Sequence, residues 1–406
     1  MNQVKKYSKG KLILSIIAIS FIQGLQYCVS PVLGDIQEHF SSVNVSLIQM
    51  LITAPGIFSM AVALTSGFLV TKISKKKLLL FAAAVSGIVG FLPLLADSFP
   101  LLFVSRILYG VGLGIATTMN AAVVSEFFEG DERVQAMGIQ AASVGAGIMT
   151  TTTVAGILGK GGFTHAYYIN VIGFISLVVL AACLPDTGTV SLKKGEKIRL
   201  NREVWIVDLF TVLENIFLIT FTTNIAMHMA GVLKGDTSKA GILTGIFSGS
   251  QILIGILLGI VTKIAKKYTL SVAMFSFALG SVILVLFPGN MVMLSIAALF
   301  CGFSQGIFIP TATTNIANVV APSAVALASA TLTCSMNLGQ IVSPFLLNSI
   351  VKAVTGSVTT TGVYLASAIG IAIAALLCIV WKSRTKEGGF PQRRGKLEFV
   401  QRIMNG

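Results

Sequence analysis

Residues 70–76 read Val-Thr-Lys-Ile-Ser-Lys-Lys, and residues 261–267 repeat them as Val-Thr-Lys-Ile-Ala-Lys-Lys. Each copy closes an apolar run long enough to form a helix that crosses a membrane. The copies lie 191 positions apart, a period far longer than that of solenoid repeats. This spacing predicts a chain built from one half-domain written twice.

The composition is that of a protein embedded in a lipid bilayer. Of the 406 residues, 54% are hydrophobic and 11% are charged, and the mean hydropathy is +0.88, whereas about a quarter of the residues in soluble domains are charged. The apolar runs predict an all-α membrane protein with twelve transmembrane helices in two pseudo-symmetric six-helix bundles. The predicted spans are 11–34, 44–70, 78–96, 100–125, 136–158, 166–184, 205–230, 239–262, 269–287, 291–318, 324–350 and 361–381.

The basic residues are distributed unevenly between the two sides of the predicted spans. The chain has 29 Lys and Arg residues and a net charge of +14. If the N-terminus is inside the cell, all but five of them lie on the cytoplasmic side; the exceptions are Lys160, Lys234, Lys239, Lys352 and, within a span, Arg106. Because cytoplasmic loops are enriched in Lys and Arg, we predict a multi-pass protein of the cell (plasma or inner) membrane with both termini cytoplasmic. The same placement explains the net charge without a nucleic-acid partner.

The predicted segments are a cytoplasmic N-terminus (1–10), an N-terminal six-helix half (11–184), a cytoplasmic linker (185–204), a C-terminal six-helix half (205–382) and a basic cytoplasmic tail (383–406). The lysine-rich start could mimic a signal peptide, but no small-residue cleavage site follows it, so we interpret it as an uncleaved first helix. The five cysteines lie in spans without a CxxC pair, which indicates buried apolar side chains. We expect no cofactor and no metal site.

Polar residues in the first span form a candidate cavity face. Ser20, Gln23, Tyr27 and Ser30 follow the spacing of a single helical stripe, and Gln26 lies beside it. Polar side chains at this depth need protein partners or water, so we expect the stripe to face a cavity. The alternative is hydrogen bonding between packed helices, worth about 0.6 kcal/mol per bond.

One stripe of the fourth span contains an arginine. An isolated Arg at membrane depth is costly and normally marks a pathway or a paired charge. Snorkelling of its long side chain to the membrane interface is the alternative. The stripe consists of Arg106, Gly110, Leu113, Thr117 and Asn120, and Tyr109 adjoins it.

The seventh span carries a carboxylate, Glu214, at the position that corresponds to Gln23 after 191 residues. A carboxylate in a membrane cavity suits a proton carrier. The alternative is that Glu214 lies at the cytoplasmic rim and carries no proton. Asn215 and Asn224 follow it and add amides to the same span. We also expect Asp208 in the first turn of this helix, where an acid is favourable.

Uncharged amides are the main polar residues of the tenth and eleventh spans. They could form hydrogen bonds to a solute in the C-terminal half, and packing against neighbouring helices is an equal alternative. These residues are Gln305, Asn315, Asn337 and Gln340. For His228 of the seventh span we expect a structural or interfacial role.

Several local motifs resemble those of the major facilitator superfamily. Residues 67–77 are similar to the family's loop motif Gly-x-x-x-Asp-Arg-x-Gly-Arg-Lys-x, which follows the second helix. Arg106, Gly110 and Gly112 match the Arg-x-x-x-Gly-x-Gly motif of the fourth helix. The resemblance covers residues 11–381 and implies the twelve-helix major facilitator fold.

The resemblance also implies a gate on the cytoplasmic side, near the loop motif. Here Thr71 replaces the acid that pairs across the half-domain interface in the family, and Ser74 replaces a turn glycine. We therefore expect the gate to depend on lysines and helix ends. The residues assigned to this inner gate are Thr71, Lys72, Lys75, Lys76, Thr262, Lys263, Lys266 and Lys267.

In this family helices 1, 4, 7 and 10 line a central cavity, and the matching arginine takes part in coupling in proton-driven members. The resemblance leads to the hypothesis that Arg106 and Glu214 interact, directly or through water, as the coupling pair. The function it implies is secondary active transport of a small organic solute by alternating access, coupled to protons, with export of drugs or metabolites as one form. Uptake or exchange of a small organic anion through Arg106 is the alternative. A single chain supplies both halves, so we expect a functional monomer.

Other classes of membrane protein lack their motifs in this sequence. A membrane enzyme would need a His-Glu-x-x-His motif, paired intramembrane Asp residues or a nucleophile with its base. An ATP-driven pump would need a Gly-x-x-x-x-Gly-Lys-Ser/Thr loop. The two-fold repeat of six spans argues against a receptor or a channel. The sequence therefore predicts a protein that is not an enzyme.

Overall fold

The structure, a computed structural model, describes residues 7–128, 130–189, 200–233, 237–320 and 325–384. Within these ranges the chain forms α-helices and short 3-10 turns and no strand. The all-α prediction is therefore confirmed. The helices are α1 (Lys9–Gly24), α2 (Leu33–His39), α3 (Val45–Thr53), α4 (Pro55–Lys72), α5 (Lys75–Phe91), α6 (Phe99–Phe127), α7 (Gly130–Leu158), α8 (Val171–Cys183), α9 (Arg202–Leu233), α10 (Thr237–Ala265), α11 (Thr269–Leu286), α12 (Met291–Val319), α13 (Val325–Thr355) and α14 (Thr360–Arg384).

Eleven helical stretches of the described residues are long and apolar enough to cross a membrane. One of them, Thr237–Leu286, has 50 residues and contains two helices, α10 and α11. Each of the twelve predicted spans therefore corresponds to helical structure. The first two predicted spans are each interrupted between two helices. The first span consists of α1 and α2, and the second consists of α3 and α4.

The two halves pack their helices in the same order. In the first half α1 packs against α6, α7 and α8, and in the second half its counterpart α9 packs against α12, α13 and α14. The pairs α4–α6 and α5–α8 have the counterparts α10–α12 and α11–α14. Helices α7 with α10 and α4 with α13 join the halves. The molecule is a pair of pseudo-symmetric six-helix bundles, as predicted.

The bundle has two sides, which we name by their position relative to the ends of the chain. The terminal side carries Lys9 at the start of α1 and Arg384 at the end of α14. The far side carries the turns that follow α2, α5, α7, α9, α11 and α13. An ion pair of 2.6 Å between Lys9 and Glu132 joins α1 to α7 on the terminal side.

The expected continuous stripe of the first span is wrong beyond Gly24. Helix α1 ends there, and two 3-10 turns, Leu25–Tyr27 and Ser30–Val32, lead into α2. A Cβ on Gly24 would lie within 3.0 Å of the backbone of Gly147, so α1 approaches α7 closely at this point. Pro31 follows and has no N–H to continue a helix. Tyr27 and Ser30 consequently do not share a helical face with Gln23.

Proline also breaks the second span. Helix α3 ends at Thr53, and α4 begins at Pro55. In an α-helix the carbonyl of Leu51 would accept from the N–H of residue 55, which proline lacks. The break therefore leaves the Leu51 carbonyl in need of another donor.

The twin segments end their helices differently. In the first copy α4 ends at Lys72, and the Ser74 hydroxyl accepts the N–H of Lys77 at 3.4 Å as the N-cap of α5. The second copy has Ala265 in place of Ser74, so no hydroxyl can cap the next helix. There α10 continues to Ala265, and the chain turns at Lys266 with φ of 49°. One substitution thus moves a helix boundary by two positions within the repeat.

The start of α9 differs from the prediction. The helix begins at Arg202, inside the segment expected to be the linker 185–204, and its first-turn acid is Glu203. Asp208 therefore lies in the second turn, and the expectation that it is a first-turn residue is wrong. Most of the predicted linker (190–199), most of the predicted N-terminal segment (1–6) and nearly all of the tail (385–406) lie outside the described residues.

Candidate functional site

Four polar side chains join the halves on the far side, and we call them the far-side latch: Ser46 and Gln49 of α3, Asn224 of α9 and Asn348 of α13. Gln49 donates to Asn224 Oδ1 at 2.8 Å, and Asn348 donates to Gln49 Oε1 at 2.8 Å and to Ser46 Oγ at 3.0 Å. All four side chains are buried. Sequence reasoning found Asn224 and missed the others, although an amide inside the apolar run 45–64 was the available signal.

Helices α7 and α10 meet on the same side. A Cβ on Gly156 would lie within 3.0 Å of Gly241, and the Thr237 hydroxyl donates to the Gly156 carbonyl at 3.0 Å. Toward the terminal side, a Cβ on Gly255 or Gly259 would have no described atom within 4 Å. The halves are thus in contact on the far side, whereas Gly255 and Gly259 near the terminal end of α10 have open space around them.

Loss of the latch is expected to favour opening of the far side. Gln49→Leu removes two hydrogen bonds between the halves, worth about 0.6 kcal/mol each in membrane proteins. The ratio of far-side-open to far-side-closed molecules should rise roughly sevenfold. Maleimide labelling of Ser30→Cys, a buried far-side position that contacts Thr222, measures this opening.

The matched control for that measurement is Gln135→Leu, a Gln at the start of α7 that is exposed on the terminal side. It should leave labelling unchanged. Equal labelling rates in Gln49→Leu and in the parent would show that the latch does not hold the far side closed.

Arg106 is buried, with 2% of its surface exposed, and it bonds to the two broken spans. Its Nε donates to the Leu51 carbonyl at 2.8 Å, the acceptor that Pro55 leaves free. Its other donors reach the Gln26 carbonyl and the Cys28 sulfur, and the guanidinium lies 5.0 Å from the centre of the Tyr109 ring. Arg106 therefore fastens the helix breaks of both spans to α6 and does not snorkel.

Glu214 lies in the C-terminal half with no exposed surface. Ser304 of α12 donates to its Oε1 at 3.4 Å, and Asn215 donates to its Oε2 at 3.0 Å. Among the described residues no Lys, Arg or His forms an ion pair with it. The hypothesised contact between Arg106 and Glu214 is not formed in this conformation, because each residue uses other partners.

The predicted polar residues of the first half bond mainly to the backbone. Gln23 donates to the Ala116 carbonyl at 3.3 Å, and Gln26 donates to the Ile52 carbonyl at 3.2 Å. Tyr109 donates to the Ile22 carbonyl, and Thr117 donates within its own helix. Asn120 donates to Ser20 Oγ at 3.0 Å, while its own buried oxygen has no protein partner among the described residues. Gln23 and Thr117 remain half-buried, as cavity residues would be.

In the second half the amides bond between helices and within their own helix. Gln340 of α13 donates to Asn215 Oδ1 at 3.1 Å, and Asn337 donates to the Thr333 carbonyl at 3.0 Å. Tyr27 of the first half interacts with the half-buried Gln305 of α12. Asn315 is also half-buried. These positions place Tyr27 and Gln305 where the two halves face each other.

The residues predicted for the inner gate make contacts within their own halves. Lys75 pairs with Glu126 at 2.8 Å, Lys76 donates to the Ala181 carbonyl at 2.9 Å, and Lys72 lies 5.9 Å from the centre of the Phe68 ring. Thr71 and Thr262 donate to carbonyls of their own helices. Lys263 lies in the last turn of α10, Lys266 forms the turn that follows, and Lys267 lies 5.4 Å from the centre of the Tyr268 ring.

An acid that sequence reasoning missed lies beside the first gate segment. Asp186 Oδ1 accepts the Gly188 N–H at 3.0 Å. This bond, with the Ser74 hydroxyl and the nearby Lys76 and Lys77, lowers the pKa of the Asp186 carboxyl below its usual value. The first half thus contains an ionised acid near the lysines although Thr71 occupies the motif's acid position.

His228 has a structural role, as expected. Its Nε2 faces the Pro288 carbonyl at 2.9 Å and its Nδ1 faces the Thr360 hydroxyl at 2.8 Å, so the neutral ring donates to the first and accepts from the second. These bonds join α9 to the turn after α11 and to the start of α14. No cluster of three or more His, Cys, Asp or Glu in the described ranges could hold a metal ion.

A transporter is among the relatives of this sequence. The riboflavin transporter RibZ of Clostridioides difficile (strain 630) is 31% identical over 145 residues, which are 35% of this chain and 32% of that protein. The match thus spans about a third of the relative. A family model for the Major Facilitator Superfamily matches residues 15–224 and 209–403, nearly the whole chain. With two bundles related by a repeat, a latched far side and polar residues where the halves face each other, this chain belongs to the Major Facilitator Superfamily of membrane transporters.

Proposed function

We propose that the protein is a secondary active transporter that moves a small organic solute by alternating access and uses the proton as its coupling ion. The burial of Glu214 without a cationic partner carries this proposal. An ionised carboxylate in such a site loses its hydration and gains only two neutral hydrogen bonds. Binding of a proton removes this cost, so proton binding and the conformation of the cavity are coupled.

The contacts between the halves on the far side and the open space around Gly255 and Gly259 of α10 support alternating access. The far-side latch consists of uncharged amides and hydroxyls, each bond of which is weak and can exchange with water. On the terminal side the gate lysines have partners within their own halves. Rocking of one bundle against the other would break the latch and bring the terminal ends of α7 and α10 together.

Glu214→Gln tests the coupling. The amide keeps the shape and the contacts to Ser304 and Asn215 but cannot exchange a proton. In proteoliposomes we expect solute counterflow to persist and the acceleration by a proton gradient to be lost. The solute for this assay comes from a thermal-shift screen of the purified protein against riboflavin and pooled metabolites and drugs, at two pH values.

The matched control is Glu203→Gln, an exposed glutamate in the first turn of the same helix. It should respond to a proton gradient as the unmodified protein does. If Glu214→Gln kept the same response to the gradient, the coupling role of Glu214 would be refuted.

A neutral solute fits the site better than an anion. Arg106 is buried deep in its predicted span, and three of its donors are used by the carbonyls of Leu51 and Gln26 and by the Cys28 sulfur. Uptake or exchange of an organic anion through Arg106 would require these bonds to break. The half-buried amides and hydroxyls offered by Gln23, Thr117 and Gln305 suit donors and acceptors on a neutral molecule.

The riboflavin transporter among the relatives gives a second candidate within this class. Riboflavin carries a planar ring system with amide-like edges and a hydroxylated chain, groups that amides and tyrosines such as Tyr27 bind well. Transport in either direction, including export of a drug or metabolite, is compatible with the same cavity. Counterflow of labelled riboflavin distinguishes this candidate from other solutes.

For orientation, we propose that the terminal side is cytoplasmic and that the membrane is the cell membrane. The excess of Lys and Arg on that side supports this orientation. We further propose that one chain is the functional unit, since both six-helix halves and the whole interface between them come from a single chain.

A further inference from the structure

A second buried carboxylate lies on α9, nearer the terminal side than Glu214. Asp208 has 4% of its surface exposed, and neither of its oxygens has a hydrogen-bond partner among the described residues. Thr331 and Cys334 of α13 face it. The Thr331 hydroxyl donates instead to the Ala328 carbonyl at 2.9 Å. Burial of an ionised carboxylate without hydrogen-bond partners has a high free-energy cost.

Among the residues that the structure describes, no charge that faces Asp208 offsets this cost. On α13 the titratable group is the Cys334 thiol, which is uncharged when protonated. Other helices packed against α9 have titratable groups elsewhere: Lys382 of α14 lies by Glu203 and Cys378, Cys301 of α12 lies by Tyr364, Lys263 is in the last turn of α10, and Asp35 and Glu38 of α2 are on the far side. Arg202 is exposed at the start of α9.

A metal cation is a poor occupant for this position. Sodium, magnesium and calcium ions need several oxygen ligands, and the side chains that face Asp208 offer one hydroxyl and one thiol. A proton needs no such shell. Protonation turns the carboxylate into a neutral acid, which the surrounding helices can bury at far lower cost.

Asp208 and Glu214 lie at the two ends of a polar seam between α9 and α13. Asp208 and Asn215 are seven residues apart and therefore lie on one face of α9, about 10 Å from each other along its axis. Asn215 accepts from Gln340 of α13 at 3.1 Å and donates to Glu214 at 3.0 Å. The buried Thr211 lies between the two positions on the same face.

We propose that Asp208 is a second protonation site, through which protons pass between the terminal side and Glu214 along the interface of α9 and α13. Asp208 takes a proton from water on the terminal side. Its O–H bond then breaks, water in the seam carries the proton to a Glu214 oxygen, and Asp208 returns to a carboxylate. The proposal rests on the proposed role of Glu214 and adds the residue that supplies it.

Infrared spectroscopy of the full chain in proteoliposomes tests this without a solute. Protonated buried carboxyl groups give a C=O stretching band that is separate from the carboxylate bands. We expect two such components near neutral pH, one lost in Asp208→Asn and the other in Glu214→Gln. After transfer to heavy water, the remaining Glu214 component should exchange its proton for deuterium more slowly in Asp208→Asn than in the parent.

The matched control is Asp97→Asn, an exposed aspartate that pairs with His39 on the far side, which should change neither component. Asp208→Glu should restore fast exchange, and thermal unfolding of each variant identifies any that fail to fold. Loss of no band in Asp208→Asn, or unchanged exchange at Glu214, would overturn the relay. Absence of a Glu214 component with the Asp208 component present would refute both the proposed role of Glu214 and the relay to it, and would leave Asp208 as a protonation site alone.

Discussion

Arg106→Leu is expected to destabilise the folded protein by about 2–6 kcal/mol. The leucine leaves the carbonyls of Leu51 and Gln26 without their donor at two breaks in the membrane, and each buried unsatisfied carbonyl costs about 1–3 kcal/mol. No N–H of the same helix can replace the donor at Leu51, because residue 55 is proline. Thermal unfolding of the purified protein in detergent measures the loss.

Arg133→Leu is the matched control for this experiment. Arg133 is exposed and donates to the Ser125 carbonyl at 2.7 Å, so it makes the same kind of bond where water can take its place. We expect a change within about 0.5 kcal/mol. Arg106→Lys should recover only part of the loss, since one ammonium cannot span both carbonyls as the guanidinium fork does. Equal stability of Arg106→Leu and Arg133→Leu would exclude this structural role.

The structural role of Arg106 could not be predicted from the sequence. Its depth in the span was correct, and depth alone suggested a pathway or a charge pair. The partners it has are backbone carbonyls, which become available only because two other spans break beside it. A sequence shows the prolines 31 and 55 but not which side chain approaches the carbonyls that they leave free.

Span positions were predicted well, whereas the breaks within spans were not. An apolar run that crosses a membrane looks the same whether it is one helix or a helix followed by 3-10 turns. The run from Leu12 to Leu33 contains no charged residue through both turns. The stripe that joined Gln23 to Tyr27 assumed 100° per residue throughout, and this periodicity ends at Gly24.

The far-side latch was missed for a different reason. Gln49 contacts Asn224 and Asn348, which are 175 and 299 residues away. Contacts at this separation depend on how the two halves are placed, and under the proposed alternating access that placement changes during transport. Sequence reasoning identified amides in spans, but a contact that exists in one conformation only leaves no local pattern.

Gly110→Ala and Gly302→Ala are expected to be the most disruptive small substitutions in the two halves. A Cβ on Gly110 would lie within 3.0 Å of the Pro55 backbone, and a Cβ on Gly302 would lie within 3.0 Å of the Phe247 carbonyl oxygen. The two contacts are repeat counterparts of each other. Gly302 follows Gly110 by 192 residues, and Phe247 follows Pro55 by the same 192 residues. The crossing of α4 with α6 is therefore repeated by α10 with α12.

Because backbone atoms are the obstacle at both crossings, rotation of a side chain cannot relieve the clash, and the helices must separate. Such overpacking costs about 1–3 kcal/mol or more. We expect each variant to unfold at a lower temperature, and the double variant to show the sum of the two losses, since the crossings lie in different bundles.

Gly255→Ala and Gly259→Ala supply the matched controls, because a Cβ at either position would meet no described atom within 4 Å. They should unfold at the temperature of the parent or slightly above it, because alanine is more favourable than glycine in a helix by up to about 1 kcal/mol.

The transport rate of these two variants tests whether the terminal ends of α7 and α10 approach each other. If the terminal ends of α7 and α10 close together during the cycle, a methyl group at Gly255 enters that interface and slows transport without loss of stability. Transport at the parent rate would instead show that these glycines stay clear of α7 in both conformations.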